Sequence, residues 1–395
     1  MRWATSASDD ANFEAAIQRA GVDLRAQLAG ERPDLVVVFI SAHHAAGFHR
    51  VPAMIREETR AGVLLGCSAG GVIGGGSEIE RRPGVSLTGA VLPGVRVHPF
   101  HLDGDALPGS AADAGRWQTL IGADPNHTPH FIILPEPFTF DTEGLLRGLD
   151  LAYPGGSKIG GIASGGRQPG DNALFLGDRV HRNGAVGVAL SGNLAVDTIV
   201  AQGCRPIGEP MFVTSCHRNL VRGLDGRPPL DVLRDLHEQL DERDRQLARH
   251  SLFLGIAMNA DRQQYRHGDF LIRNLLGIDP SNGALAVGAL LDENVVAQFH
   301  LRDATTSAQD LEAMLTAYQQ GESAPPPEGA LLFSCLGRGQ FLYGLADHDS
   351  AAFRSHLGQL PLGGFFCNGE IGPVHGTTFL HGYTSAFGLF RGKGS

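Results

Sequence analysis

The amino-acid sequence predicts an α/β protein with two domains of mixed sheets and flanking helices. Short apolar runs typical of buried strands recur along the chain, a helical segment follows each run, and a glycine-rich turn follows the next strand. The interval from the first strand of a unit to the second is about 28–31 residues, the size of a β-α-β unit. We therefore expect loosely repeated β-α-β-hairpin units with glycine-rich loops at the strand ends.

The first unit begins with LVVVFIS, residues 35–41, a continuous apolar run that predicts a buried strand. A helix is predicted over 51–62, and the next strand enters a glycine turn in VLLGCSAGGVI, residues 63–73. Two more strands, at 85–93 and 95–102, complete the unit.

The second and third units repeat this order. The second unit is predicted to have a strand at 131–138, a helix at 141–154 capped by Asp141 or Thr142, a glycine turn at 158–166, and paired strands at 172–180 and 185–192. The third is predicted to have a strand at 330–337, a helix near 350–360, a glycine turn at 362–372 and a final strand at 377–387.

Different material separates the second unit from the third. Turn residues cluster over 205–228, which places the domain boundary there and gives domains 1–215 and 216–395. The segment after the boundary is predicted to contain a helix at 229–250, an antiparallel meander at 270–278, 284–291 and 294–303, a helix at 311–320 and a proline-stiffened connector at 321–329.

Charge and composition exclude several classes of function. Acidic residues exceed basic ones by 42 to 32, and nucleic-acid binding would need a basic patch. The N-terminal segment has no continuous apolar stretch, so no secretory signal is predicted, and no run approaches the ~18 apolar residues that span a bilayer. The five cysteines are widely spaced without a C-x-x-C pair, which favours reduced thiols and a cytoplasmic location.

Neither a metal site nor a cofactor is predicted. His98 and His101 straddle a proline, and His127 and His130 lie in the loop PNHTPH. A helical metal-binding face would instead place histidines four residues apart with an acid between them.

The string GCSAG, residues 66–70, raises the question of a catalytic serine. It matches G-x-S-x-G, and the apolar strand before it is what a nucleophile elbow needs. The elbow also needs a helix, whereas the nine residues after Ala69, GGVIGGGSE, include five glycines. Each interior glycine costs a helix ~1 kcal/mol relative to alanine. We predict a strand-end binding loop; the alternatives are a hydrolase that uses Ser68 or Cys67 as its nucleophile, and a glycine turn without a ligand.

The equivalent turns of the other units carry IASGG and FFCNGEIG, so the units share a turn shape and not a hydroxyl. If the turns meet at one edge of the fold, they line a pocket, because glycine lets a ligand approach backbone N–H groups closely. An anionic group of the ligand would meet the amides, and an ammonium group would meet Glu370. The predicted ligand contacts of the turns are Cys67, Ser68, Ala69, Gly70, Ser164, Gly165, Cys367, Asn368 and Glu370.

Two arginines are further candidates. Strand alternation places Gln298, His300 and Arg302 on one face, which is either a solvent face or a surface where Arg302 captures a carboxylate or phosphate. Arg273 interrupts an apolar run, so it should have a partner and could hold the same group.

The last candidates lie in the final strand. Phe379, His381 and Tyr383 are predicted to share a face. His381 and Tyr383 are interpreted either as ligand contacts over the Glu370 turn or as a hydrogen-bonded core pair.

The chain resembles the FIST proteins, with their N-terminal and C-terminal halves in order. The resemblance rests on ERPDLVVVFISAHH, LLGCSAGGVI, FLIRNLLGIDPSNGALAVGALL, VVAQFHLRDA and GGFFCNGEIGPV with TTFLHGYTSAF, and it covers residues 1 to about 390. It implies an intracellular sensory module that binds small ligands such as amino acids and works with signal-transduction partners. Val72 stands where the family's N-terminal turn has a glutamate, whereas Gly369, Glu370 and Gly372 match its C-terminal GEIGP.

We therefore predict a non-catalytic sensory protein that binds a small polar metabolite, such as an amino acid. No kinase, cyclase or DNA-binding segment is visible in the sequence, so the output is expected to pass to a separate signalling protein in trans. Two alternatives stay open, namely the hydrolase and a protein-interaction scaffold without a small ligand. The sequence leaves the ligand, the partner and the oligomeric state undetermined.

Overall fold

The computed structural model describes residues 1–109, 112–259, 262, 264–321 and 325–393, and it confirms the predicted class of mixed sheets with flanking helices. The chain divides into two compact units. The first comprises Met1–Val200, Ala313–Leu380 and the segment from Thr384 onward, and the second comprises Ala201–Glu312 with His381–Tyr383. This division by compactness differs from the domain boundary at residues 215 and 216, which stays a prediction about the sequence.

The first unit contains three six-stranded mixed sheets. In spatial order, the strands of the first sheet are β1 (Arg2–Ser8), β6 (Val85–Val91), β2 (Leu35–Ser41), β3 (Val63–Ala69), β10 (Leu174–Leu176) and β11 (Arg179–His181). Those of the second are β7 (Val95–Leu102), β12 (Ala185–Gly192), β8 (His130–Pro135), β9 (Lys158–Gly161), β22 (Glu370–Val374) and β23 (Thr377–His381). Those of the third are β13 (Ala195–Gln202), β24 (Thr384–Arg391), β20 (Gly329–Cys335), β21 (Leu362–Cys367), β4 (Gly71–Gly74) and β5 (Ser77–Glu80).

The three sheets share one plan. A parallel pair lies at the centre of each sheet, namely β2 with β3, β8 with β9, and β20 with β21. An antiparallel strand, β6, β12 or β24, flanks the first member of the pair. The repeat in the sequence is therefore a repeat of sheets.

The hairpin that follows each parallel pair leaves its own sheet. The β4–β5 hairpin follows β3 but pairs with β21, the β10–β11 hairpin follows β9 but pairs with β3, and the β22–β23 hairpin follows β21 but pairs with β9. The three repeat units of the sequence thus exchange hairpins cyclically. The chain crosses between sheets at the predicted glycine turns, residues 67–71, 162–166 and 367–370, which we call the crossover turns.

Side chains from all three sheets form one core. Phe39 of the first sheet stacks on Phe365 of the third with ring centres 4.4 Å apart, and Phe333 meets both rings edge-on. Ile132 of the second sheet belongs to the same cluster. Because the central strands are buried on both faces, they are continuous apolar runs in the sequence.

Helices cover the sheets, and the side chains of Asn12, Asp113 and Asp141 cap three of them. Apolar side chains of the first two helices pack on the first sheet, and those of the next two pack on the second sheet. Asp141, and not Thr142, provides the predicted cap by accepting from Gly144 N. The helices are α1 (Phe13–Gln27), α2 (Val51–Thr59), α3 (Ala114–Ile121), α4 (Thr142–Ala152), α8 (Gln340–Tyr343) and α9 (His348–Leu357).

The second unit is a closed six-stranded barrel. The predicted meander is only partly formed, because the strands expected over 270–278 and 284–291 do pair, whereas the strand expected over 294–303 pairs with two other strands of the barrel. Around the barrel the strands are β14 (Cys204–His217), β15 (Leu220–Leu224), β18 (Leu285–Val287), β17 (Phe270–Ile278), β16 (Leu252–Ala257) and β19 (Val296–Arg302). Its helices are α5 (Pro229–Gln239) and α6 (Glu242–Ser251), and α7 (Ala304–Gln320) begins in this unit.

Three predicted elements were wrong. The strand expected over 172–180 is the hairpin of β10 and β11, and it pairs with β3 and not with the strand over 185–192. The helix expected over 229–250 is two helices, because Leu240 is extended and the Asp241 side chain caps α6. The strand expected over 377–387 breaks at Tyr383, which has a φ of 64°. The face that Phe379, His381 and Tyr383 were expected to share is therefore not formed.

The predicted connector at 321–329 is only partly described, because residues 322–324 lie outside the described residues. None of the helices in the described part of the chain is both long and apolar enough to cross a membrane.

Candidate functional site

The crossover turns meet inside the first unit. Ser164 N donates to Ser68 O at 3.1 Å, which joins the second turn to the first. Ile162 N donates to Gly369 O at 2.9 Å, and Asn368 N donates to Ile162 O at 3.1 Å, which joins the third turn to the second. The turns therefore lie together, as expected from the sequence, and we call their meeting point the junction.

The Ser164 side chain connects all three repeat units at the junction. Its hydroxyl accepts from Gly70 N at 2.8 Å and donates to Phe366 O at 2.5 Å, and the residue is fully buried. Gly165 has a φ of 91°, and a Cβ atom there would lie 2.7 Å from Ala69 O, so the close approach requires glycine. The polar groups of the turns thus bind one another, and the room for a ligand lies beside the junction.

Neither Cys67 nor Ser68 is accessible to a substrate as a nucleophile would need to be. Both are buried, and burial raises the pKa of the Cys67 thiol well above its ordinary value. The Ser68 hydroxyl donates to Asn172 Oδ1 at 3.1 Å and accepts from Ala173 N at 3.1 Å. The chain passes from β3 through Gly70 into β4, so the helix of a nucleophile elbow does not follow the serine.

Glu370 is also enclosed. Its Oε2 accepts from Thr384 N at 3.0 Å, and the Cys367 thiol donates to its Oε1 at 3.5 Å. Burial raises the pKa of Glu370 to about 8, so the group is protonated at neutral pH. Asn368 is likewise engaged, because its Nδ2 donates to Ala163 O at 3.0 Å.

A cavity of about 460 Å³ opens beside the junction, and we call it the junction cavity. Its wall combines backbone from the first crossover turn, charged residues from the end of β5, and apolar residues from β21 and the segment after β20. It is lined by Gly70, Gly71, Glu80, Arg81, Leu336, Gly337, Phe341 and Phe366.

An acid, a base and an aromatic ring lie together in the junction cavity. Glu80 Oε1 accepts from Gln340 N at 2.8 Å, and burial raises the pKa of Glu80. The Arg81 guanidinium carbon lies 5.6 Å from the centre of the Phe341 ring, within the range of a cation–π contact. Phe341 is 68% exposed, although large aromatic residues are usually buried. Such a surface suits a ligand with charges of both signs and an apolar part.

A buried ion pair supports the segment that carries Phe341. Arg338 Nε and Nη2 donate to the two oxygens of Asp349 at 2.9 and 3.1 Å, and both side chains are almost fully buried. Burial alone would raise the pKa of Asp349, but the Arg338 guanidinium holds it well below its usual range. Among the described residues, Arg338 Nη1 has no hydrogen-bond partner. The pair fixes the segment between β20 and α9.

The candidates Arg273, Arg302, His381 and Tyr383 belong to the second unit. The Arg302 guanidinium carbon lies 5.3 Å from the centre of the Tyr383 ring, and the Tyr383 hydroxyl donates to Asn274 Oδ1. Arg273 Nη1 donates to Ile272 O at 3.2 Å, so Arg273 has a partner, as the sequence led us to expect.

The face of β19 that carries His300 is not a solvent face. Gln298 and His300 are both buried. The His300 ring meets the Phe270 ring with centres 5.0 Å apart, and Gln298 Nε2 donates to Gly208 O at 2.7 Å. Burial lowers the pKa of His300 to about 4, so its ring is neutral at pH 7.

Sequence reasoning missed Glu80, Arg81 and Phe341 as candidates. The available signal was a pair of charged residues directly after the glycine-rich hairpin, in EIERR. Phe341 could not be placed beside them, because about 260 residues separate the two segments in the chain. Among the described residues, no group of three or more metal-ligating side chains is clustered.

Two family models match the chain. The FIST N domain model matches residues 34–227, and the FIST C domain model matches residues 229–373. An uncharacterized protein of Mycobacterium tuberculosis is 36% identical over 392 residues, which are 99% of this chain and 100% of that protein. An uncharacterized protein of Mycobacterium bovis is 38% identical over 378 residues, 95% of each chain. An F-box/LRR-repeat protein of Arabidopsis thaliana is 30% identical over 99 residues, 22% of this chain and 19% of that protein.

Proposed function

This chain belongs to the FIST family, whose domains are sensory and signal-transduction modules, and on that premise we propose that it binds a small polar metabolite and relays the signal to a separate protein. The proposed site is the junction cavity, and the proposed ligand class is a zwitterion such as an amino acid. Of the crossover turns, Gly70 and Gly71 line the cavity and would contact the ligand, and the other residues of the turns shape the site.

The observation that carries this proposal is the side-by-side placement of Glu80 and Arg81 on one cavity wall. A planar guanidinium binds a carboxylate with two parallel hydrogen bonds, and a carboxylate accepts from an ammonium group. The ring of Phe341 and the side chain of Phe366 supply apolar surface for the remainder of the ligand.

The relay would start from the segment between β20 and α9. Phe341 lines the cavity, and Leu345 on the same segment is 65% exposed. A ligand that packs on Phe341 changes the solvent exposure of this apolar surface, which is the kind of surface that protein partners recognise. The proposed partner is a separate signalling protein that binds in trans.

The test is a thermal-shift screen of the full-length protein with the common amino acids at neutral pH. A ligand present at 100 times its Kd should stabilise the folded protein by roughly 2.7 kcal/mol. Arg81→Gln and Glu80→Gln should each weaken the response by about tenfold or more in apparent Kd, because each removes a charged hydrogen-bonding partner.

Arg82→Gln is the matched control, because Arg82 is adjacent in sequence but pairs with Asp9 at 3.0 Å. It should leave the ligand response unchanged. A response that Arg81→Gln and Glu80→Gln do not alter would place the ligand elsewhere. The absence of any response to a zwitterion would refute the proposed ligand class.

We also propose that the protein is non-catalytic and cytoplasmic. The five cysteines are free thiols, in keeping with a reducing compartment. Fluorophosphonate and iodoacetamide probes should not label residue 67 or 68 of the folded protein stoichiometrically. Rapid labelling that is lost on heat denaturation would favour the hydrolase instead.

A further inference from the structure

A second cavity, of about 430 Å³, lies in the first unit. Its wall is formed by β1, the end of α1, the turn between β4 and β5, helix α9 and the loop before β21. We call it the Arg354 cavity. Its volume is within the range of small-molecule sites.

The wall of the Arg354 cavity is rich in hydrogen-bonding groups and carries one sign of charge. Hydroxyl groups come from Thr5, Ser77 and Ser350, and carboxamides come from Gln27 and Gln359. Among the described residues that line the cavity, Arg354 is the only one with a charged side chain. The chemistry of the wall therefore favours an anion with a hydrogen-bonding body.

Arg354 is held at the cavity by the glycine turn. Its Nη2 donates to Gly76 O, and a Cβ atom at Gly76 would lie 2.7 Å from the same nitrogen. A guanidinium has five N–H donors, so the Gly76 contact leaves capacity for an oxyanion. The guanidinium is thus positioned without being saturated by that contact.

The turn itself brings main chain to the cavity wall. Gly75 and Gly76 have φ values of 58° and 83°, which glycine adopts without strain. The β4–β5 ladder ends at the pair Gly74 and Ser77, so the two turn residues lie outside it. With no side chain at either position, a ligand can reach the backbone N–H groups.

Among the described residues that line the Arg354 cavity, none is an acid. Glu78 lies beneath the wall, where its Oε1 accepts from Ser350 N and Ser350 Oγ, both at 2.8 Å. Burial raises the pKa of Glu78 to about 8, so the group is protonated at neutral pH. The junction cavity differs, because an acidic residue, Glu80, is part of its wall.

We infer that the Arg354 cavity is a second ligand site, which binds a small hydroxylated metabolite carrying one oxyanion group, a phosphate or a carboxylate. Arg354 holds the oxyanion, and the hydroxyl and carboxamide groups of the wall hold the body. The site is independent of the zwitterion site, since the two cavities share no lining residue.

The test compares three probes with the same small body, namely glycerol 3-phosphate, glycerate and glycerol. Binding to the full-length protein is measured by thermal shift and calorimetry at pH 7 up to about 10 mM, which would saturate a site with a Kd of about 1 mM. We expect saturable binding of at least one of the two anions and not of glycerol. The comparison of the anions distinguishes a phosphate site from a carboxylate site.

Variants locate the binding. Arg354→Gln should weaken the anion by about tenfold or more, and Ser77→Ala should weaken it several-fold. Arg82→Gln is the matched control, because this exposed arginine pairs with Asp9 and lines neither cavity, and it should leave the Kd unchanged. Since Arg354 is exposed, the ligand-free melting temperature of Arg354→Gln should stay close to that of the wild type, which shows that the variant is folded.

Three results would overturn the inference. The first is no saturable binding of either anion, and the second is equal binding of glycerol. The third is an anion affinity that Arg354→Gln leaves unchanged. If the wild-type protein binds an anion at this site but binds no zwitterion, the proposed function is refuted and the inference about the Arg354 cavity stands.

Discussion

The Ser164 hydroxyl bonds at once to backbone groups of the other two repeat units. Ser164→Ala removes both bonds and leaves Gly70 N and Phe366 O without that partner. An unsatisfied buried polar group costs about 1–3 kcal/mol, so we expect the free energy of unfolding to fall by about that amount. Urea unfolding at fixed pH measures the change.

Ser355→Ala is the control for this prediction. The Ser355 hydroxyl bonds within its own helix to Ala352 O at 2.7 Å, and the residue is exposed. Its substitution should change the free energy of unfolding by less than about 0.5 kcal/mol. Equal effects of the two substitutions would show that Ser164 does not hold the turns together.

At the scale of elements, a glycine recurs at one position in the second strand of each parallel pair. Gly66, Gly160 and Gly364 each lie opposite a residue of the first strand. A Cβ atom at any of them would lie far inside van der Waals contact of a backbone carbonyl oxygen of that strand. The glycines therefore allow the two strands of each pair to approach closely.

Gly160→Ala should destabilise the protein strongly. The added methyl group would clash with Ile133 O, and neither strand can move away without breaking the ladder. We expect a loss of at least about 3 kcal/mol, visible as a lower urea midpoint or as insoluble expression. Gly277→Ala in β17 is the control, because nothing lies within 4 Å of its added Cβ, and it should be nearly neutral. A stable Gly160→Ala protein would show that the strands are not held this closely.

The strands of the repeat units could be predicted from the sequence because they are buried on both faces. LVVVFIS gave bounds of 35–41, and β2 is Leu35–Ser41. The single helix predicted over 229–250 was wrong because the apolar spacing continues without a break past Leu240. In the structure the backbone is extended at Leu240, and the Asp241 side chain caps a new helix. Periodicity reports which residues face a core, and it does not report a break that a cap stabilises.

The candidate site was only half predictable, for a reason that lies in the topology. The crossover turns were visible as glycine strings, and their meeting follows from the repeat. The neighbours of each turn were not visible, because the exchanged hairpins bring β4 beside β21 and β22 beside β9. Glu80 and Phe341 become neighbours of one cavity through this exchange.

At the scale of the whole molecule, the exchange makes the first unit depend on both ends of the chain. Residues 1–200 contain β4 and β9 but not their partners β21 and β22. The third sheet takes β20, β21 and β24 from the C-terminal segment and β4, β5 and β13 from the N-terminal one. Stability measured for this unit is therefore a property of the full chain.

Two buried glutamates give this unit a pH-dependent stability. Glu78 and Glu370 both have pKa values raised from 4.5 to about 8, chiefly by burial. A carboxyl group whose pKa is higher in the folded state takes up a proton on folding between those two values. The stabilisation is complete below pH 4.5 and is lost as the pH rises through about 8. Asp349 acts in the opposite sense, because its pKa is lower in the folded state. Its stabilisation is present above its ordinary pKa of 3.8 and is lost only as the pH falls below that value.

Between pH 6.5 and about 8 the two glutamates should dominate the pH dependence of stability. The buried His130 has a pKa of about 4 in the folded state and an ordinary value of 6.5, so above pH 6.5 it is neutral in the folded and the unfolded protein. We expect the free energy of unfolding to fall across this range, by at most about 1.4 kcal/mol per pH unit for each proton released. Glu78→Gln and Glu370→Gln should each flatten the fall, since glutamine does not titrate, whereas Glu57→Gln on the exposed face of α2 should not. Urea unfolding at several pH values measures the slope. If all four proteins show one slope, both carboxyl groups are ionised in the folded state, and the buried acids do not control the stability of the unit.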